Sequence, residues 1–62
     1  MYFIIYKNAN YKQPYWWVIK SGGNHTTLAT SEMYTRKSDC ISAINIIVRE
    51  ANDAVYYDRT GE

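Results

Sequence analysis

The chain has 62 residues with one cysteine and one histidine, and seven Lys and Arg against six Asp and Glu give a net charge of +1. So short a chain makes one domain, residues 1–62, that buries only about 60% of its unfolded surface and needs a further staple. A lone Cys40 excludes an internal disulfide, Cys40 and His25 are too few donors for a structural zinc site, and the balanced charge gives no long-range pull toward nucleic acid or membrane.

In chain order, the first element is Tyr2 to Lys7, an aromatic and β-branched run that reads as a strand. Asn8-Ala9-Asn10 opens a turn that lasts to Pro14, which suits a strand entrance because its missing N–H costs least there. Tyr15 to Lys20, with Trp16, Trp17, Val18 and Ile19, is the second strand. Ser21-Gly22-Gly23-Asn24 is the strongest turn signal, since Gly and Asn adopt positive φ cheaply. His25 to Ser31 returns as a Thr-rich third strand, completing an antiparallel meander.

A helix follows. Cys40, Ile41, Ala43, Ile44, Ile47, Val48 and Ala51 fall on one stripe of period near 3.6. Thr35 is the expected N-cap, with Ser38 the alternative. Asp39 and Arg49 suit the two ends of the helix dipole. Asn52-Asp53 marks the stop, Ala54 to Asp58 reads as a short last strand, and Arg59 to Glu62 as a frayed end. The expected fold class is α+β: a β-β-β meander, one amphipathic helix and a C-terminal strand.

One helix covers one face of such a sheet, yet there are seven Tyr, two Trp and one Phe. Strand alternation sends Phe3, Ile5, Trp17 and Ile19 to one side, assigned to the helix, and Tyr2, Ile4, Tyr6, Trp16 and Val18 to the other. An aromatic patch of that size on an open face is unusual for a monomer. With no disulfide or metal, a second copy is the staple reached by elimination.

The series Tyr2-Phe3-Ile4-Ile5-Tyr6-Lys7, Trp17-Val18-Ile19-Lys20, Ala29-Thr30-Ser31-Glu32 with Tyr34-Thr35 and Lys37, then Ile44, Val48 and Asn52-Asp53-Ala54 resembles the YegP-like family. These are small bacterial proteins of uncharacterised function built on a β-β-β-α-β unit, often present twice in a chain. The resemblance implies a homodimer that imitates the two-unit members, with exchange of the last strand around Val55-Tyr56-Tyr57. Two departures stand out. The Ser21–His25 turn is a residue longer than is common, and Ile4 replaces a frequent polar residue. The resemblance brings no catalytic residue and no cofactor.

Candidate chemistry is sparse. A Cys40–His25 pair is one route to an activated nucleophile, but Cys40 shares the apolar stripe, where a thiol packs as a small hydrophobe. Ser31 and Glu32 read as hydrogen-bonding groups at a strand exit rather than as ligand contacts. Gly22-Gly23 lacks the helix and the Lys-Ser/Thr of a phosphate loop. Trp16, Tyr2 and Tyr6 with Lys7, Lys12 and Lys20 nearby raise base stacking as an idea, over a thin basic surface.

The reading is therefore a non-enzymatic homodimeric interaction module with no cofactor and no metal. Its candidate surface is Tyr2, Ile4, Tyr6, Trp16, Val55, Tyr56 and Tyr57. The alternative is nucleic-acid or regulatory-protein binding through the aromatic open face. The start of the chain shows no basic leader and no cleavage site. No stretch approaches the roughly 20 apolar residues of a membrane span. With a free thiol, these point to the cytoplasm.

Overall fold

The structure, a computed structural model, describes residues 1–62. Three strands, β1 (Tyr2–Lys7), β2 (Tyr15–Lys20) and β3 (Thr27–Thr30), precede the helix α1 (Lys37–Glu50), which passes into a 3-10 turn at Ala51–Asp53. The strands form one antiparallel sheet in the order β1-β2-β3. β2 is therefore central, and the outer edges of β1 and β3 are unpaired.

The first hairpin is set by its long connection. Asn8 donates its N–H to the Pro14 carbonyl at 2.8 Å, the Tyr11 N–H reaches the Asn8 carbonyl at 3.1 Å, and the Asn8 side chain accepts from the Asn10 N–H at 3.0 Å. Such Asx turns let a polar side chain stand in for the next backbone acceptor. The resulting register pairs Phe3 with Ile19, Ile4 with Val18, Ile5 with Trp17 and Tyr6 with Trp16. Directly paired residues share a face, so the two side-chain sets read from alternation are the sets observed.

The second hairpin is shorter than expected. β3 spans Thr27–Thr30 rather than His25 to Ser31. His25 sits in the turn at φ 58, a left-handed conformation that His adopts more readily than most residues. The Ser21 N–H bonds to the Thr26 carbonyl at 2.9 Å, which closes the turn. The pairing of β2 with β3 shifts register between Ile19, opposite Ala29, and Lys20, opposite Thr27.

Beyond β3 the chain keeps contact with the centre of the sheet. Ser31 N–H donates to the Trp17 carbonyl at 2.9 Å. Tyr34 and Tyr15 exchange two backbone hydrogen bonds at 2.7 and 3.1 Å. This clamp delivers the chain to the start of α1.

The cap differs from expectation. Arg36, in extended conformation, occupies the N-cap and no side chain caps the helix. Thr35 lies one residue too early, and Ser38 already lies inside the first turn. The Arg36 carbonyl takes the N–H groups of Asp39 and Cys40 at 3.1 and 3.3 Å. An exposed Arg36–Asp39 pair at 3.4 Å closes the same turn.

α1 packs on β2 with Cys40 wholly buried and Ala43, Ile44 and Ile47 half-buried. Lys37, at its first turn, shares a cleft with Ile5, Tyr6, Lys7 and Tyr15. Ile5 lies opposite Trp17 and Lys7 opposite Tyr15, so the helix lies over the Phe3, Ile5, Trp17 and Ile19 face. There Phe3 and Trp17 meet edge to face at 5.6 Å.

The expected last strand is absent. Ala54 to Asp58 pair with no strand and are exposed. No helix is long and apolar enough to cross a membrane.

Candidate interaction site

The face of the sheet turned away from α1 carries a row of rings, with Val18 buried among its side chains. Tyr6 and Trp16, cross-strand partners, stack at 5.5 Å with planes 25° apart. Tyr11, from the connection between β1 and β2, adds a third ring 6.3 Å from Trp16. At the other end of β1 the Tyr2 hydroxyl and His25 Nδ1 share a hydrogen bond of 2.9 Å, their rings edge to face at 5.8 Å. Tyr6 remains 40% exposed, and Trp16 and Ile4 are half-buried. Mutual stacking shields part of this surface, so the face is less open than a count of its aromatics suggests.

The larger unshielded surface is at the end of the chain. Tyr56 is 92% and Tyr57 77% exposed, and Val55 is nearly as open. The two halves of the sequence-derived surface are therefore distinct patches: Tyr2, Ile4, Tyr6 and Trp16 on the sheet, and Val55, Tyr56 and Tyr57 on an unpaired tail. Sequence reasoning also passed over Ile46. It lies off the stripe through Cys40 and Ile47 yet is 48% exposed. The signal was the adjacent pair Ile46-Ile47, which puts apolar side chains on two sides of one turn.

The remaining polar candidates resolve into structural roles. Ser31 Oγ accepts the Trp17 N–H at 2.9 Å and donates to the Glu32 carbonyl at 2.7 Å. It thus satisfies the central strand where β3 has ended, and its hydroxyl is engaged on both sides. Cys40 is fully buried while His25 is held by Tyr2, so the structure does not bring them together. Burial pushes the Cys40 thiol above its ordinary pKa, away from the thiolate that a nucleophile needs. No three His, Cys, Asp or Glu residues gather as metal ligands.

One buried donor is unpaired. Trp17 is 7% exposed, and its Nε1 has no hydrogen-bond partner. An orphaned buried donor costs about 1–3 kcal/mol, a large share for a domain whose buried residues are Trp17, Val18 and Cys40.

A three-stranded antiparallel meander carrying one helix, with its surface features apolar and aromatic rather than catalytic, defines a small α+β module. Residues 12–58 match the family described as a domain of unknown function, DUF1508. The match covers more than half of the chain, so the protein belongs to that family, the YegP-like group of small uncharacterised proteins. It takes in β2, β3, α1 and the Val55–Tyr57 tail, and begins after β1. No curated protein and no solved structure matches the chain.

Proposed function

We propose that this protein is a non-enzymatic interaction module that works as a homodimer, each copy covering apolar surface that the other leaves in water. The supporting observation is its surface area. A compact monomer of 7.3 kDa exposes about 4,200 Å², whereas this chain exposes 5136 Å². The excess, roughly 900 Å², is close to the about 800 Å² per partner of a standard interface. The radius of gyration is 13.7 Å, against about 10.6 Å for a compact chain of this length.

The tail supplies the partner contact in this reading. Val55-Tyr56-Tyr57 has strand-forming side chains and no strand to pair with. The sheet has two free edges, of which β1 is the longer, with Lys7 as its one charged residue. An unguarded edge is a template for a strand from another chain. Exchange of the last segment between two copies satisfies both, in keeping with what the family resemblance implies. The module then works in the reducing cytoplasm, where Cys40 stays a thiol.

A second reading rests on the Tyr6-Trp16-Tyr11 row, since a dimer joined edge to edge leaves this face open. Stacked rings of this kind bind the bases of single-stranded nucleic acid or the apolar side chains of a regulatory protein. Titration with single-stranded RNA, followed by Trp fluorescence, tests the nucleic-acid form of it; no salt-dependent change removes that form.

Size-exclusion chromatography with light scattering at micromolar concentration tests the main reading. A mass twice that of the chain supports it, and a folded species of 7.3 kDa refutes it.

A further inference from the structure

At about 100° per residue, the apolar side chains of α1 spread over far more than the strip that rests on β2. Measured from Cys40, they run from Ile46 on one flank through Ile47, Ala51 and Ile44 to Val48 and Ile41 on the other, an arc of about 220°. Ser38, Ser42, Asn45 and Arg49 occupy the narrow remainder. One sheet face covers about 100° of a helix, and Ile46 and Val48 are accordingly 48% and 64% exposed. Asp39 and Glu50 stand inside that arc beside Ile46, so Ile46 forms an apolar flank apart from the strip that rests on β2.

The two flanks differ in shape. Ile41 and Val48 line no groove. On the other flank Ile46, Ile47, Glu50, Ala51 and Ala54 line a shallow one where α1 runs into the 3-10 turn. Its lining sets two bulky isoleucines beside two alanines. Glu50 stands at the rim, 3.6 Å from Arg49, so its charge is partly offset.

We propose that this flank meets the same flank of a second copy, the two helices crossing antiparallel about a two-fold axis with each Ile46 seated in the groove of the other. A two-fold contact requires a patch complementary to itself, and a bulky Ile beside a pair of alanines meets that requirement. The inference rests on the homodimer reading and names a contact that the reading lacks. The tail tyrosines account for about 300–500 Å² of the roughly 900 Å² by which the chain's surface exceeds that of a compact monomer. The remainder includes an apolar surface continuous with the tail. Ala54, where the tail leaves, lines the groove.

The test is cross-linking between variants of the full chain. An Ile46→Cys chain mixed with an Ala51→Cys chain is expected to form an intermolecular disulfide on mild oxidation, because a side chain seated in the partner's groove brings its Cα close to the groove's alanines, within the spacing a disulfide allows. A Val48→Cys chain, altered on the far flank, is expected to stay unlinked to the Ala51→Cys chain, and Cys40 is too buried to interfere. A dimer in which Ile46→Cys does not link to Ala51→Cys, or in which Val48→Cys links to it equally, overturns the helix contact and leaves the homodimer standing. A wild-type monomer at the same concentration overturns both. Ile46→Glu is a second route: the dimer dissociation constant is expected to rise about tenfold or more while the circular dichroism of the fold stays unchanged, and an unaltered constant refutes the proposal.

Discussion

The centre of the sheet and the end of the helix are built to different standards. Around Trp17, the central strand has a neighbour on each side, a ring against its face, a helix above and the Ser31 hydroxyl on its N–H. Around Ala51, by contrast, the helix ends over open water with apolar groups on several sides and a tail that pairs with nothing. The same short chain therefore finishes one half of its architecture and leaves the other half incomplete. Local hydrogen bonding and hairpin register complete the first half within a single copy. The second half lacks only surface, which another copy can supply.

The contrast predicts where substitutions hurt. The largest effect is expected for Trp17→Ala, which empties the centre of the small core. A loss of about 3–5 kcal/mol exceeds what a domain of this size can spare, so urea denaturation is expected to find the variant unfolded in buffer. A cooperative transition at the wild-type midpoint would mean that the sheet centre does not hold the fold.

Next comes the tail. Tyr56→Ser with Tyr57→Ser is expected to raise the dimer dissociation constant at least about tenfold with the β-meander intact, read by sedimentation equilibrium alongside far-ultraviolet circular dichroism. Unfolding of the monomer instead would place these rings in the protomer's own stability.

Ser31→Ala sharpens the other side of the comparison. It strips the acceptor from the half-buried Trp17 N–H and is expected to cost about 1–3 kcal/mol in chemical denaturation without changing the association state. A smaller and opposite effect is expected for Arg36→Ser. It places a side-chain cap at a helix start that has none and is expected to add about 1 kcal/mol. The Arg36–Asp39 pair it removes is largely exposed and contributes little.

The least effect is a matter of pH. The folded Cys40 thiol has its pKa raised by burial from the ordinary value of 9.0. Unfolding therefore releases a group that ionises more easily, and the stability linked to it is present below that value and declines as pH rises above it. Cys40→Ala is expected to flatten this part of the stability-pH profile relative to wild type, and an identical decline in both would show that the thiol is not its source.

Much of the finished half was legible in the sequence. Alternation in Tyr2–Lys7 and Tyr15–Lys20 gave the two side-chain sets, and the period of α1 gave Cys40 and Ile47 as its inward residues. These features depend on near neighbours, and near neighbours are what a single sequence displays. The cap was misplaced by one residue because Thr35 and Ser38 are both good cappers by type. The Tyr15–Tyr34 backbone clamp, which no side chain announces, decides that the turn starts at Arg36. The third strand came out short because a positive φ at His25 uses up residues that composition assigned to the ladder.

At the unfinished end the limit is physical. Val55-Tyr56-Tyr57 carries a strand-like composition, but a strand exists only against a partner, and within this chain the segment pairs with none. Ile46 escaped notice for the same reason, because an amphipathic stripe is judged against one buried face and this helix has more apolar surface than one face can take.

Amide hydrogen exchange at Val55, Tyr56 and Tyr57, followed across a range of protein concentrations, addresses the central claim most directly. Protection that grows with concentration in step with the population of a two-chain species is the predicted result. Amides that exchange at unprotected rates at every concentration, in a folded species holding a single chain, would contradict it.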